Sequence, residues 1–312
     1  MSKHKVLMMD AGHPGQMEAM EDHFDVVRLS RSDPESIVRA HQSDIQAIST
    51  FLTPVRQSLI KAFPALEIIA VGAVGLDHID LQTAKSRNIT ITNTPDVLTD
   101  DTADIAMMLM LALARRGVEG DAYVRAGLWV NGALPLGRTL SGKTIGILGL
   151  GRIGQAVARR AEAFHMNVIY SGPAQKPEHP YTYFKDLKRM AEQCDFLVLT
   201  CKGGDETKHI IDYDVLKALG PDGFVVNIAR GSVIHQQDLL MALSNKAIAG
   251  AGLDVYESEP NVPEELVRMD NVVLTPHIGS ATLETRSKMG EIVVQNLIEH
   301  FKGGRLLTPV RL

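Results

Sequence analysis

Three polar residues in the second half of this chain stand just beyond apolar runs suited to β-strands. "NIARGS" places Arg230 after one such run, "GLDVYESEP" places Glu259 past another, and "VVLTPHIGS" places His277 at the end of a third. In an open parallel sheet, ligands bind outside the carboxyl ends of the strands. Arg230, Glu259 and His277 are therefore candidates for one site. Each is weak alone, because the chain holds 11 histidines and because Arg and Glu in loops are ordinarily solvated. A fourth stretch has a more definite chemistry. "GLGRIG" (149–154) is the G-x-G-x-x-G pattern, and here it follows the strand "TIGIL" and opens the helix "RIGQAVARRAEAF". In that context Gly149 makes the tight turn, Gly151 lets a pyrophosphate approach the backbone, and Gly154 lets the helix pack closely on the strand. The free N–H groups of the helix N-terminus then face the phosphates of a dinucleotide.

The strand after a dinucleotide loop ordinarily ends in Asp or Glu, which binds the adenosine ribose hydroxyls. In "VIYSGPAQKP" that place falls at Ser171. A carboxylate would repel a 2′-phosphate and a serine does not, and Lys176 is the nearest base. The stretch therefore leans to NADP(H), with NAD(H) also admitted.

These residues need elements to position them. Short β-rich runs alternate with helical patterns along the chain, which signals α/β architecture with parallel sheets. The strand candidates are "KVLMMD", "DVVRL", "AIST", "EIIAV" and "TITN" in the first part, then "TIGILGLG", "NVIYS", "FLVLT", "FVVNIA", "AGAGLDV" and "VVLTP". Helical stretches include 34–42 and 55–63, with Pro34 and Pro54 where a first turn tolerates proline. The segment 94–127 reads as one long helix, capped at Thr99 or Asp100 with Asp100, Asp101 and Asp104 in its first turn. A final helix is expected over 280–304, closed by Gly303 and Gly304. The pattern implies two domains, residues 1–98 with 283–312 and residues 99–282, joined by two long helices that would leave a cleft between them.

Bulk properties exclude other classes. At 312 residues the chain can hold two domains with substantial cores. A net charge of −5 offers no basic excess for nucleic acid or an anionic membrane surface. The apolar run near the start, Val6–Met9, is too short for an export signal, and "IAMMLMLALA" (105–114) is too short to span a bilayer. Cys194 and Cys201 have no metal spacing and are expected as free thiols in a cytoplasmic protein, with no metal site.

The chain resembles the D-isomer-specific 2-hydroxyacid dehydrogenases. "GLDHID" (75–80), "TPDVLTDDTAD" (94–104), "GKTIGILGLGRIG" (142–154), "NIARGS" (227–232), "GAGLDVYESEP" (250–260) and "TPHIGSAT" (275–282) carry the resemblance in order, from about residue 45 onward. Within the family it is most similar to the glyoxylate/hydroxypyruvate and hydroxyphenylpyruvate reductase branch. The resemblance implies two doubly wound parallel-sheet domains, a flavodoxin-like substrate domain and a Rossmann cofactor domain, with the active site in the cleft. It makes His277 the proton donor and acceptor, Glu259 its carboxylate partner and Arg230 the substrate-binding arginine. Val74 and Gly75 would hold the substrate carboxylate through backbone amides, and Leu52 and Thr53 would face the substrate. Asp254 would orient the nicotinamide carboxamide, and Thr102 would touch the cofactor at the domain junction. Arg152, Ile153, Cys201, Thr207, Ile228, Ala229 and Gly279 complete the implied cofactor contacts. Trp129 resembles a tryptophan that reaches the active site of a partner subunit, which together with the long helix favours a homodimer.

The implied roles are chemically coherent. Reducing a 2-keto acid needs a hydride at the carbonyl carbon and a proton at the oxygen. Histidine titrates closest to neutrality, and a carboxylate beside it, here Glu259, favours the imidazolium form. Arginine's planar fork grips a carboxylate while its charge polarises the adjacent carbonyl. One segment departs from the family pattern. "CKGGDET" (201–207) puts Gly203 and Gly204 where larger residues are common, which is expected to alter adenine and ribose contacts, with Lys202 as an added charge. Two other readings stand beside the reductase: NAD-dependent oxidation of a D-2-hydroxy acid, and a nucleotide-sensing binding protein like the C-terminal-binding-protein corepressors.

Overall fold

The computed structural model describes residues 3–29 and 32–311. Contacts divide the chain into two units, Met1–Leu98 with Ser280–Leu312, and Thr99–Gly279.

The first unit is built on five parallel strands, β1 (Lys5–Met8), β2 (Asp25–Arg28), β3 (Ala47–Thr50), β4 (Ile68–Val71) and β5 (Thr90–Thr92), in the order β2-β1-β3-β4-β5. This is the flavodoxin-like strand order. Every residue of β3 and β4 is buried, because helices cover both faces of the sheet. Leu7, Ile48, Ile69 and Phe63 belong to the core on one face, and Val6, Met8, Ala70 and Leu297 to the core on the other. The helix Leu283–Lys302 supplies much of the second face. Its buried Asn296 accepts from the N–H groups of Leu307 and Thr308 at 3.0 and 3.2 Å, which ties down the chain after the helix.

The second unit holds β6 (Thr144–Leu148), β7 (Asn167–Ser171), β8 (Thr182–Phe184), β9 (Phe196–Leu199), β10 (Phe224–Asn227), β11 (Gly250–Leu253) and β12 (Val272–Leu274). They form one parallel sheet in the order β12-β11-β10-β9-β6-β7-β8. The glycine loop therefore lies where the strand order reverses, between β6 and β9, the topological switch point at which such sheets bind ligands. β8 has no counterpart among the expected strands, since its three residues are at the sheet edge and none is buried.

Two helical expectations need correction. The segment 94–127 is not one helix: it forms Thr99–Ala114 and Gly117–Arg125, separated where Arg116 takes a left-handed φ of 53°. Two low-propensity glycines, Gly117 and Gly120, follow that break and weaken continuation of the first helix. Thr99 is the first helical residue rather than a cap. Pro34 is at the first position of its helix, but the helix expected from 55 begins only at Gln57 and leaves Pro54 outside it.

Candidate active site

The glycine loop has the geometry of a phosphate cradle. Gly149 has φ 99°, and a Cβ there would lie 2.7 Å from the Cα of Cys201, so only glycine fits the turn between β6 and the end of β9. A Cβ on Gly154 would overlap the carbonyl oxygen of Gly149, which explains how closely the helix Arg152–Ala163 sits on the loop. Around Gly151, by contrast, the space is open. Gly151 provides no side-chain cap to the helix it opens. Open space over an uncapped helix start suits an anionic diphosphate.

At the end of β7, Ser171 is buried and its carbonyl accepts the N–H of Gly149 at 2.8 Å. No carboxylate occupies this strand end. Lys176 turns back toward the loop: its ammonium donates to the carbonyl of Leu150 at 2.7 Å, while its N–H donates to the hydroxyl of Tyr170 at 2.6 Å. The base is therefore held beside the glycine loop. Cys201 is partly buried, and burial pushes its thiol up to about 11, so it is a packing group against Gly149. The run after it closes on itself, with the Thr207 hydroxyl donating to the carbonyl of Lys202 at 2.6 Å. Gly203, expected beside the adenosine end, is found against the side chain of Arg230.

Arg230 follows β10 through a turn built by the buried Asn227. The amide of Asn227 donates to the Arg230 carbonyl at 2.9 Å and its side-chain oxygen accepts the Ala229 N–H at 3.0 Å. Ile228 and Ala229 are buried beneath this turn. Arg230 Nη1 donates to the Ala229 carbonyl at 2.8 Å.

Asp254, at the end of β11, organises the turn that carries His277. Its carboxylate, 2% exposed, accepts from the Thr275 hydroxyl at 2.6 Å and from the N–H groups of Ile278 and Gly279 at 2.8 and 2.9 Å. Its carbonyl accepts the His277 N–H at 2.9 Å. Thr102 completes the turn by donating to the Gly279 carbonyl at 3.1 Å. This structural duty of Asp254 and Thr102 was not foreseen. The available signal was a charged residue directly after an apolar strand, which must find donors if it is buried. Within the turn His277 adopts a left-handed φ of 54°.

His277 Nδ1 and Glu259 Oε2 are 2.7 Å apart, and both side chains are part-exposed. The other Glu259 oxygen accepts the Tyr256 N–H at 3.0 Å. Burial works to raise the Glu259 pKa, but the hydrogen bond and charge of His277, the Tyr256 N–H and the charge of Arg230 together outweigh it and hold the carboxyl below its ordinary value. Arg230 is thus close enough to act electrostatically on Glu259. A cavity of about 270 Å³ adjoins them, lined by Tyr256, Glu259, Val262, Leu274, Pro276 and His277 among others. The Tyr256 hydroxyl lies within hydrogen-bonding distance of the Leu253 and Thr275 carbonyls, at 3.2 and 3.0 Å, and burial, with the charges of Asp254 and Glu259, pushes its phenol up to about 12. Among the described residues no cluster of three or more His, Cys, Asp or Glu has the geometry of a metal site.

In the first unit, Thr53 follows β3 in a loop shaped by Asp10. The Asp10 carboxylate accepts from the Thr53 hydroxyl, and from the Phe51 N–H at 2.6 Å. Leu52 lies between them and is part-exposed. Val74 and Gly75 follow β4, with the Val74 carbonyl accepting from Asn93 at 3.0 Å. Trp129, in the second unit, is 69% exposed within the short turn Leu128–Asn131, next to Val130 at 89%.

A glycine cradle at a sheet's switch point, with a histidine–carboxylate pair on neighbouring strand ends, defines a nucleotide-dependent oxidoreductase. Residues 107–279 match the NAD-binding domain of the D-isomer specific 2-hydroxyacid dehydrogenases. A glyoxylate/hydroxypyruvate reductase from Arabidopsis thaliana is 45% identical over 307 residues, 98% of each chain. A hydroxyphenylpyruvate reductase from Plectranthus scutellarioides is 50% identical over 252 residues, 81% of this chain and 80% of that one. Among solved structures, an NADPH-dependent glyoxylate/hydroxypyruvate reductase from Sinorhizobium meliloti, in complex with NADP and malonate, superposes with a TM-score of 0.94 at 41% identity, covering 99% and 97% of the two chains. The chain belongs to the D-isomer specific 2-hydroxyacid dehydrogenase family.

Proposed function

We propose that this protein reduces a small 2-keto acid (glyoxylate, hydroxypyruvate or an aryl pyruvate) to the D-2-hydroxy acid with NADP(H), and admits NAD(H). The observation that carries this reading is the 2.7 Å pairing of His277 with Glu259, within electrostatic reach of Arg230.

The cofactor site comprises the loop Gly149–Gly154 with Arg152 and Ile153, Ser171 and Lys176 at the adenosine end, Cys201, Thr207, Ile228, Ala229, Thr102 and Gly279, and Asp254 at the nicotinamide carboxamide. When bound there, the cofactor supplies the hydride. The absence of a carboxylate at Ser171 removes a repulsion against a 2′-phosphate, and the NADPH dependence of the Sinorhizobium relative supports the same preference.

The guanidinium of Arg230 grips the substrate carboxylate and polarises the neighbouring carbonyl. The amides of Val74 and Gly75, with Leu52 and Thr53, are the first unit's candidates for contact with a substrate. Because Glu259 holds Nδ1 of His277, Nε2 is the nitrogen that faces substrate and delivers the proton to the carbonyl oxygen. Glu259 stabilises the imidazolium before transfer and orients the ring throughout.

Two further features extend the proposal. Trp129, Val130 and Leu136 are 69%, 89% and 96% exposed within one short stretch of the chain, and these apolar side chains support a homodimer in which a second copy covers them. The free thiols Cys194 and Cys201 support a cytoplasmic location.

The deciding experiment follows NADPH absorbance with glyoxylate, hydroxypyruvate and phenylpyruvate, and repeats each with NADH. Turnover with at least one acid, faster with NADPH, is expected. No turnover with any 2-keto acid overturns the assignment, and cofactor binding without turnover favours a nucleotide sensor.

A further inference from the structure

A second histidine–carboxylate pair stands two residues away from the first. His209 Nε2 and Glu257 Oε1 are 2.7 Å apart, with each side chain about a third exposed. His209 lies in the loop after β9, at a left-handed φ of 55°. Glu257 lies in the loop after β11, the loop that carries Glu259. The turn of Arg230 is sandwiched between the two. On one side the His209 N–H donates to the Ser232 carbonyl at 2.8 Å, and the Ile211 N–H to the Val233 carbonyl at 3.1 Å. On the other, Gly231 packs directly on the Tyr256–Glu257 peptide, where a Cβ would overlap the backbone. The His209 ring also meets His235 edge to face at 4.8 Å between centroids, and His235 Nδ1 lies 3.2 Å from Asp238 Oδ2. Asp238 in turn accepts the Tyr213 N–H at 3.0 Å.

Three loops from three strand ends thus meet at one side-chain contact. Backbone bonds join the first loop to the Arg230 turn, and close packing joins that turn to the Glu257 segment. His209 and Glu257 connect the first loop to the third through their side chains. We propose that His209 and Glu257 are positioning residues that fix Arg230 and Glu259 in register with each other. The inference rests on the working roles given above to Arg230 and Glu259. Neither His209 nor Glu257 is assigned a proton transfer. Their effect runs through the guanidinium that grips the substrate and the carboxylate that aims His277. Slack in such a shell is expensive, since a displacement of about 1 Å at a reacting group can cost roughly 10²-fold in rate.

The test compares wild type with His209→Ala, His209→Gln, Glu257→Ala and the double alanine variant. The readouts are KM and kcat for the best 2-keto acid, KM for NADPH, melting temperature, and the dissociation constant of oxamate on the NADPH-loaded enzyme. Either single alanine variant is expected to raise keto-acid KM and oxamate dissociation constant by about 10-fold, with KM for NADPH within about twofold of wild type. The double variant should lose no more than either single one, the mark of two residues acting through one contact. Glutamine at 209 keeps an amide donor and should recover most of the loss. Keto-acid and NADPH constants that move together, or additive single effects, or no effect beyond a lowered melting temperature, overturns the pair. Should wild type turn over no 2-keto acid while the variants still weaken oxamate, the pair stands and the reaction assignment falls. If His209→Ala fails to fold, Glu257→Ala carries the keto-acid and oxamate comparison, with His209→Gln as the control expected near wild type.

Discussion

Gly203 lies against the stem of Arg230, so that a methyl group on residue 203 would sit 2.6 Å from Arg230 Cγ. The glycine is therefore part of how this chain shapes its anion grip. Gly203→Ala should displace the guanidinium and lower kcat/KM for the keto acid by about 10-fold, mostly through KM. Steady-state kinetics at saturating NADPH measure this. Constants within twofold of wild type would show that the arginine stem yields at no cost.

His277→Ala removes the proposed proton donor. Turnover should fall by on the order of 10²-fold or more, the scale of general acid catalysis, while NADPH binding is kept. Retained turnover contradicts the role given to the histidine.

Ser171→Asp restores a carboxylate at the end of β7, where it would meet a 2′-phosphate. The ratio of kcat/KM with NADPH to that with NADH should drop by about 10-fold or more, a repulsion of roughly 1.4 kcal/mol. A wild type that already prefers NADH severalfold would refute the reading of this turn.

The lowered pKa of Glu259 has a definite sign in stability. A depressed carboxyl contributes stability above its unfolded value, near 4.5, and loses it as pH falls through the native value. The gap in melting temperature between wild type and Glu259→Gln should therefore be full at neutral pH and shrink below about pH 4.5. Calorimetry across that range checks it. A gap independent of pH would mean that the carboxylate gains nothing from His277.

Asp254 accepts three hydrogen bonds for the turn of His277, and two of their donors are main-chain N–H groups. Asp254→Ala leaves these donors without their acceptor in a buried place, at a cost of about 3 kcal/mol. Urea unfolding of the two proteins gives the difference, and a loss under about 1 kcal/mol would mean that water replaces the carboxylate.

What the sequence made legible follows from the range of the interactions involved. The β-rich runs became strands because burial on both faces demands continuous apolar residues, as in "FLVL" and "FVVN". The glycine motif was readable because its positions answer to local backbone geometry. Arg230, Glu259 and His277 could be proposed for one site from their places after apolar runs, but the contacts among them depend on strand order and loop geometry, which the linear pattern does not display. The break at Arg116 was missed because the apolar run before it is strong and no proline marks the end. Asp254, Asp10 and His209 were missed as builders for another reason. Each acts through partners dozens of residues away or through main-chain donors of another loop.

The left-handed backbone of His277 also determines which replacements the position will accept. β-branched and bulky side chains are disfavoured there, whereas asparagine tolerates the conformation well. His277→Asn is accordingly the variant to choose for capturing the enzyme with cofactor and unreduced substrate together. It silences proton transfer while leaving the loop in its native shape.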